Sequence, residues 1–426
     1  MTQPRHTSPT STHIPAAASA APGSHAVSVL HAALGFARGH AMPTVSVLAA
    51  LVTCALVPPD AGYADYVDWE TLGKLACMLV AVGGMRESGL FQALAARIVA
   101  GCRGVRPLTF ALVGMTALAS MVVTNDMALL ALLPLAAACL ATAGRLDLVA
   151  PVFVLQGLAA NLCGMLLPFG NPQNVYLAGA FDIGFGEFVR TMAPPFALAT
   201  LLVGIACLMT GRGETSVRTE PQPVDRRLAA TSLLALAACV ATVVHVLPVA
   251  ACLVVTVVLA LVGDRGLFAR TDWGLIVTFA AFFVFSGNLA RVDAVQGAFS
   301  IWLAGGAFVP GALLSQVISN VPAAIVLARF TDDWAGLLAG VNVGGAGTPI
   351  SSLATLIVIA QFGQVAKAEG ARAEDAREQG AQTRGAIPSN AHPNALSSTR
   401  RFAALLVGLN VAFLAALLGA GVLLGW

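Results

Sequence analysis

Long apolar stretches alternate with short polar segments from about residue 43 to the end of the chain. The apolar stretches lie at 43–58, 70–85, 107–142, 149–169, 191–210, 228–246, 248–263, 272–290, 310–330, 337–363 and 402–425. A helix needs about 20 mostly apolar residues to cross a bilayer, and many of these stretches approach that length. The pattern therefore predicts an all-α protein that crosses a membrane many times.

Two of the apolar stretches carry polar residues at their centres. These residues are Thr124, Asn125 and Asp126 in the first stretch and Ser319 and Asn320 in the second. The first stretch, 107–142, is too long for one crossing and predicts a re-entrant hairpin with its polar residues at the tip. The second stretch, 310–330, predicts a matching hairpin with shorter arms. We call residues 124–126 the first tip and residues 319–321 the second tip.

The same series of residues occurs in both halves of the chain. The first series consists of Asp68, Trp69, the first tip, Asn161, Gly164 and Pro168. The second series consists of Asp272, Trp273, the second tip, Asn342, Gly345 and Pro349. Matching interruptions of apolar segments in two halves are the sequence sign of a transporter whose binding site is built from broken helices. Each half is thus predicted to contain a re-entrant hairpin and a broken transmembrane helix.

This layout divides the chain into six parts. They are a disordered tail at 1–40, a first repeat at 41–210, a cytoplasmic linker at 211–227, a second repeat at 228–363, a cytoplasmic loop at 364–401 and a C-terminal transmembrane helix at 402–426. The tail is rich in Ser, Thr, Pro, Ala and His, which is typical of segments that do not pack. Met42 directly precedes the first apolar stretch, so the start of the protein is left open between Met1 and Met42.

The positions of Lys and Arg orient the predicted helices. If the tail is cytoplasmic and each hairpin returns to its own side, all but four of the 23 Lys and Arg residues fall in the tail and the cytoplasmic segments. The exceptions are Lys74, Arg190, Arg291 and Arg329. Because basic residues concentrate on the cytoplasmic side, this layout is favoured, with a cytoplasmic N-terminus. The stretches 70–85 and 272–290 then cross in opposite senses, so the two repeats are predicted to have inverted topology.

Composition supports a membrane protein and argues against several functions. Hydrophobic residues make up 58% of the chain and charged residues 10%, against about 45–50% and 25% in soluble domains. The eight cysteines occur singly, so neither a disulfide framework nor a metal or cofactor site is predicted. The sequence has no HExxH, GxSxG or GxxxxGK[ST] motif, which argues against an enzyme and against an ATP-driven pump in this chain. A channel fits the broken-helix pattern less well than alternating access does, and the predicted partner is a lipid bilayer rather than a nucleic acid.

Four segments together resemble a known family. They read TNDMALLALLPL, NLCGMLLPFGNPQNVYLAG, LSQVISNVPAAIVL and VNVGGAGTPISSLATLI. They are similar to bacterial inner-membrane permeases with a citrate-transporter-like domain, of the ion-transporter superfamily that includes divalent-anion/sodium symporters and arsenite efflux permeases. The resemblance covers about residues 68–363.

The resemblance implies a secondary active transporter in the bacterial inner membrane. It would move a small anion, with carboxylates as one candidate class, using a sodium or proton gradient. A cation/proton antiporter and an arsenite-type efflux permease stay open as alternatives. The oligomeric state is also open, with a homodimer as one option.

The resemblance also implies a site in which two hairpin tips and two unwound helix segments hold substrate and coupling ion. The implied substrate-binding residues are Thr124, Asn125, Asn171, Asn174, Ser319, Asn320 and Thr348. The implied coupling-ion residues are Asn125, Asp126, Gly170, Asn320, Gly345 and Ser351. Broken helices suit both ligands, because free N–H groups favour an anion and unwound carbonyls replace the water around a cation. The dicarboxylate symporters read Ser-Asn-Thr at their tips, whereas this chain has Asp126 and Val321 at the third positions, so carboxylate specificity is left open.

Simpler interpretations exist for several of these residues. Asn125, Asp126 and Asn320 each precede an apolar helix and would serve as N-caps. An ionisable side chain near the middle of the bilayer is unfavourable by roughly 2.5–3.5 kcal/mol on insertion scales, which favours a functional role for Asp126. Asn161 and Asn342 are equally compatible with helix packing and with ligand binding.

Overall fold

The computed structural model describes residues 41–214, 223–383 and 395–426, and the predicted tail at 1–40 lies outside them. Within these ranges all regular secondary structure is helical. Helices of the first half are α1 (Ala41–Leu56), α2 (Trp69–Glu87), α3 (Leu90–Ala100), α4 (Val105–Val122), α5 (Asn125–Thr142), α6 (Val149–Cys163), α7 (Pro172–Ala180) and α8 (Phe185–Leu208). Short 3-10 turns lie at Ala61–Tyr66, Leu146–Leu148 and Gly164–Leu166.

The second half also alternates longer and shorter helices. Its helices are α9 (Arg226–Val243), α10 (Val249–Gly263), α11 (Leu267–Arg270), α12 (Gly274–Leu289), α13 (Asp293–Leu303), α14 (Phe308–Ile318), α15 (Asn320–Leu327), α16 (Trp334–Val343), α17 (Leu353–Thr383) and α18 (Ala395–Leu424). In both halves two helices meet at a polar tip, and a later helix ends at a break before the next one starts. The all-helical fold with broken helices is thus confirmed, while the inverted orientation of the halves stays a prediction.

Several helices are long and apolar enough to cross a membrane. By length and composition the described residues contain six such helices, or seven if the bent pair α12 and α13 counts as one span. The axes of α12 and α13 differ by 97°. The arms α4 and α5 are 18 residues each and both belong to the six, so they are longer than a short re-entrant hairpin requires. The fold therefore supports a polytopic membrane protein.

Burial is centred on the broken helix of the first half. In the apolar part of Leu146–Leu166, 89% of the residues are buried, against 28% in the corresponding parts of Phe185–Leu208 and Thr399–Leu424. The outer helices α8 and α18 therefore present apolar side chains to the outside, as lipid-facing helices do. Helix α6 packs against α4, α5, α8, α17 and α18. The interruption after α6 consequently lies in the middle of the molecule.

The two tips differ in backbone geometry. Residues Val123 and Thr124 separate α4 from α5 in extended conformation. Ser319 separates α14 from α15 with φ 76° and ψ 153°, a region that glycine adopts readily and other residues adopt with strain of about 1–3 kcal/mol. Such strain persists only where surrounding contacts hold the backbone, which makes the second tip a constrained segment.

One connection differs from the sequence prediction. The segment 364–401 was expected to be a loop, but α17 continues through it to Thr383 and α18 already begins at Ala395. The reason is local composition, because this segment is rich in Ala, Glu, Gln and Arg, which have high helix propensity even when they are solvated. Polarity alone therefore did not distinguish a loop from a solvated helix.

Candidate functional site

A cavity of about 420 Å³ lies where the two tips meet, and we call it the central cavity. Its polar lining consists of Asn125, Asp126, Gln173, Asp272, Thr278, Ser319 and Asn320. Apolar side chains from α1 and α17, among them Met42 and Ile357, complete the wall. None of the described residues that line it is Lys, Arg or His. The two tips, which are about 195 residues apart in sequence, therefore share one site.

Five helices begin at this cavity. The first residues of α5, α7, α12, α15 and α17 all line it, and they are Asn125, Pro172, Gly274, Asn320 and Leu353. The first turn of a helix has N–H groups without partners in the helix and carries a partial positive charge. Convergence of five such ends creates a positive field without a basic side chain. These partial positive charges favour an anion in the cavity, whereas the carboxylates of Asp126 and Asp272 in the same wall oppose it unless a cation or a proton neutralises them.

Each tip is fixed by a backbone hydrogen bond to an unwound segment. The N–H of Asn125 donates to the carbonyl of Gly170 at 3.2 Å, and the N–H of Asn320 donates to the carbonyl of Ser351 at 2.9 Å. The two halves thus use the same contact between a tip and a helix break. This contact places both asparagines at the cavity wall.

Asn161 connects the two halves behind the first tip. Asn125 Nδ2 donates to Asn161 Oδ1 at 3.0 Å, and Asn161 Nδ2 donates to the carbonyl of Gly345 at 2.9 Å. Ser351 Oγ donates to the same Gly345 carbonyl at 2.8 Å. The first tip is therefore linked through one side chain to the break in the second half. Gly345 and Ser351 do not line the cavity but lie in this supporting layer.

Asn342 forms the equivalent link from the second half. Its Oδ1 accepts from Asn171 Nδ2 and from Gln173 Nε2, both at 3.2 Å. Its Nδ2 donates to Asn174 Oδ1 at 2.7 Å and to the carbonyl of Leu338 at 2.8 Å. Asn171 and Asn174 are thus buried partners of Asn342 and are not part of the cavity wall. Of the residues around this break, Pro172 and Gln173 reach the cavity.

The tip asparagines do not act as ordinary N-caps. Asn125 Oδ1 accepts from the N–H of Asp126, and Asn320 Oδ1 accepts from the N–H of Val321, each at 2.9 Å. An N-cap side chain instead accepts from the second or third residue of its helix. Thr124 and Ser319 occupy the N-cap positions and make no side-chain cap bond. The Asn125 amide is thus engaged with Asn161 on its nitrogen side, whereas the only bonds of the Asn320 side chain among the described residues are at its Oδ1.

Glycine is required at two of the predicted coupling-ion positions by close packing. A Cβ on Gly170 would lie 2.1 Å from the carbonyl oxygen of Gly164. A Cβ on Gly345 would lie 3.1 Å from Asn320 Nδ2. Backbone segments can approach each other this closely only where no side chain intervenes. These two glycines therefore determine how near the breaks come to the tips.

Asp126 is half-buried, and one oxygen of its carboxyl group has no hydrogen-bond partner. Its Oδ1 is buried and has no hydrogen-bond partner, and its side chain lines the cavity. Gln173 Oε1, also in the wall, is likewise buried without a partner. Buried acceptors normally have donors or ligands, so these two oxygens are suited to a cation or to a protonated group.

Gln316 is a supporting residue that sequence reasoning missed. Its Nε2 donates to the carbonyls of Gly344 at 2.8 Å and Ala346 at 3.1 Å, and its Oε1 accepts from the N–H of Thr348 at 2.8 Å. Thr348 Oγ1 in turn donates to the Gln316 carbonyl at 2.9 Å. Thr348, predicted to bind substrate, is therefore engaged with α14 and does not line the cavity. No local pattern around Gln316 indicates contacts about 30 residues away.

Replacing Gln316 by leucine is expected to destabilise the protein. The change keeps the size of the side chain but leaves two carbonyls and one N–H without their partner, at about 1–3 kcal/mol for each buried group. The melting temperature of the detergent-solubilised protein, measured by tryptophan fluorescence, should fall clearly. Gln296→Leu is the control, since Gln296 is exposed on α13 and its loss should leave melting unchanged within error. Equal melting of Gln316→Leu and wild type would contradict the supporting role.

Two further wall residues were not predicted as site residues. Asp272 was recognised only as the start of an apolar stretch, and Thr278 lies one turn into α12. Both reach the cavity because α12 begins beside the tips. The recurrence of Asp-Trp in the two halves was the available signal for Asp272. Its counterpart Asp68 is an N-cap of α2 that accepts from Thr71, away from the cavity.

Comparison with known proteins identifies relatives over most of the chain. Residues 32–360 match a family described as citrate transporter. The inner membrane protein YbiR of Escherichia coli is 30% identical over 305 residues, which cover 69% of this chain and 80% of that protein. An uncharacterized transporter of Methanocaldococcus jannaschii is 27% identical over 299 residues, covering 69% of this chain and 81% of that protein. The silicon efflux transporter LSI3 of Oryza sativa is 30% identical over 145 residues, covering 34% of this chain and 29% of that protein.

Proposed function

Because the chain belongs to the citrate transporter family, we propose that it is a secondary active transporter that moves a small anion across a membrane. A sodium or proton gradient drives the movement by alternating access, without an enzymatic step. Carboxylates are the first candidate substrates. On this proposal the N-terminus is cytoplasmic and the membrane is the bacterial inner membrane, the location given in the name of the relative YbiR.

Convergence of five helix N-termini on the central cavity is the observation that carries the proposal. An anion in the cavity would meet the partial positive charges of helix ends from both halves of the chain. The amide and hydroxyl groups of Asn125, Ser319 and Asn320 add hydrogen bonds to an anion's oxygens. A site that lacks Lys and Arg among its described wall residues holds an anion loosely enough to release it during each transport cycle.

Asp126 supports the coupling to a cation. A carboxylate in the wall repels an anion unless a cation or a proton neutralises it, so the anion binds best when the cation is already present. Binding of one ligand then favours binding of the other, which is the thermodynamic basis of cotransport. The direction of transport depends on which side of the membrane has the higher concentration of the coupling cation and which has the higher concentration of the anion.

A second candidate function is cation/proton antiport. Asp126 and Asp272 both line the cavity, which has no basic side chain among its described residues. Two carboxylates would exchange a proton for a metal cation without any anionic substrate.

Efflux of a small hydroxylated solute is a further alternative, because part of the chain is similar to a silicon efflux transporter.

A proteoliposome uptake screen tests these alternatives. Purified protein is reconstituted, and uptake of radiolabelled di- and tricarboxylates, sulfate, arsenite and silicic acid is measured with an imposed sodium gradient, an imposed proton gradient or neither. The proposal requires accumulation of at least one anion that depends on one of the gradients. Gradient-driven cation exchange without uptake of any solute would favour the antiporter instead, and empty liposomes provide the background.

A further inference from the structure

Asp272 is a charged residue of the cavity wall. It lies two positions before the start of α12, and its Oδ1 accepts from the N–H of Gly274 at 2.9 Å. The residue is exposed, whereas Asp126 is half-buried. Asp272 therefore lies at the mouth of the central cavity, and Asp126 lies farther inside.

The charge of Asp272 is not neutralised by a neighbouring basic residue. None of the ion pairs found among the described residues includes Asp272. Arg270 is two positions away in sequence but pairs with Glu87 at 2.7 Å and with Asp264. The side chains of Asp272 and Asp126 line the same cavity. A cation that enters the cavity thus meets two unpaired negative charges in succession.

Gln173 provides an independent sign of a ligand between these charges. Its side chain is 1% exposed and lines the same cavity. Its Nε2 donates to Asn342, but its Oε1 is buried and has no partner. A buried carbonyl oxygen without a donor is unfavourable by about 1–3 kcal/mol, and a bound cation would remove that penalty. Carboxylate and amide oxygens are also the ligands that hard cations prefer.

We propose that Asp272 and Asp126 form a two-step route for the coupling cation, with Asp272 receiving it at the cavity mouth. From there the cation moves to Asp126 and the Oε1 of Gln173. This inference rests on the proposed function, because it assigns the entry path of the cation that drives transport. Asp272 accordingly raises the apparent affinity for the cation and makes no contact with the anion.

Asp272→Asn tests this route because asparagine keeps the shape of the side chain and an oxygen that can accept from the N–H of Gly274 but removes the charge. The full chain is reconstituted on a solid-supported membrane, and the charge displaced by a sodium jump or by a pH drop is recorded without any solute. We expect the sodium or proton concentration for half-maximal displacement to rise about tenfold, since one nearby carboxylate contributes on that order. The maximal displaced charge should be retained. Asp272→Ser, which also removes the charge, should give the same shift.

Asp225→Asn is the matched control. Asp225 is also exposed and caps a helix, accepting from the N–H groups of Arg227 and Leu228, but it does not line the cavity. Its substitution should leave the half-maximal concentration unchanged. A wild-type response with no shift in Asp272→Asn would overturn the two-step route and leave the proposed function standing. A wild-type protein that responds to neither cation would overturn the proposed function, and the route with it.

Discussion

Replacing Asn125 or Asn320 by alanine is expected to reduce transport by about a hundredfold, which corresponds to ~2.8 kcal/mol. Each asparagine lies at a tip, lines the cavity and has its N–H bonded to a carbonyl of the facing break. Loss of the Asn125 side chain also leaves Asn161 Oδ1 without its donor. Two or more lost polar contacts in a buried site account for an effect of this size, at about 1–3 kcal/mol each. The initial rate of gradient-driven uptake in proteoliposomes measures the loss.

Asn288→Ala is the control variant. It shows whether transport falls after the loss of any buried asparagine or only after the loss of one that lines the cavity. Asn288 is 1% exposed and donates to Thr53 at 3.1 Å, but it does not line the cavity. Its removal should lower the melting temperature while leaving most of the transport rate. If Asn125→Ala or Asn320→Ala kept a near-normal rate in correctly folded protein, that residue would have a structural role only.

Asp126→Asn is expected to abolish ion-driven accumulation while binding of the anion survives. The substitution preserves the shape of the side chain and removes the negative charge that we propose to hold the coupling cation. The ratio of internal to external solute should fall to about one, because an uncoupled carrier only equilibrates its substrate. Accumulation is measured under an imposed sodium gradient and under an imposed proton gradient, which shows whether sodium dependence or proton dependence has been lost. Binding of the anion is measured by the change in melting temperature that the anion causes.

Asp147→Asn provides the control for the loss of a carboxylate. Asp147 is exposed and pairs with Arg145 at 2.8 Å, and such surface pairs contribute about 0–1 kcal/mol. Its substitution should leave accumulation intact. Unchanged coupling in Asp126→Asn would restrict Asp126 to a structural role and direct the search to the backbone carbonyls around Gly170 and Gly345.

Sequence patterns predicted the features that depend on local chemistry. The tips at 124–126 and 319–321 interrupt apolar stretches, and glycine and proline mark the breaks that follow Asn161 and Asn342, so all four interruptions could be located from the chain alone. Their convergence followed from the matching order of the two halves and from the family resemblance. Both tips do line one cavity in the structure.

Contacts between distant segments could not be read from the sequence. Gln316 lies in an ordinary apolar helix, and only the packing of α14 on the second break reveals its three partners. Asn171 and Asn174 belong to a motif that suggests direct binding, yet Asn342 engages both of them behind the wall. Motif similarity thus selected residues that the structure brings to or near one cavity, whereas the distinction between wall and support depends on side-chain direction in three dimensions.

The Gln316 contacts have a consequence for the number of ions moved in each cycle. An unwound helix segment can offer carbonyl oxygens to a cation, but the carbonyls of Gly344 and Ala346 already accept from the Gln316 amide. A second cation at this break would have to share these carbonyl oxygens with the amide, which weakens its binding. The first half has Asp126 at its tip, and the second half has Val321 in the same place. The expected stoichiometry is therefore one coupling ion per transport cycle.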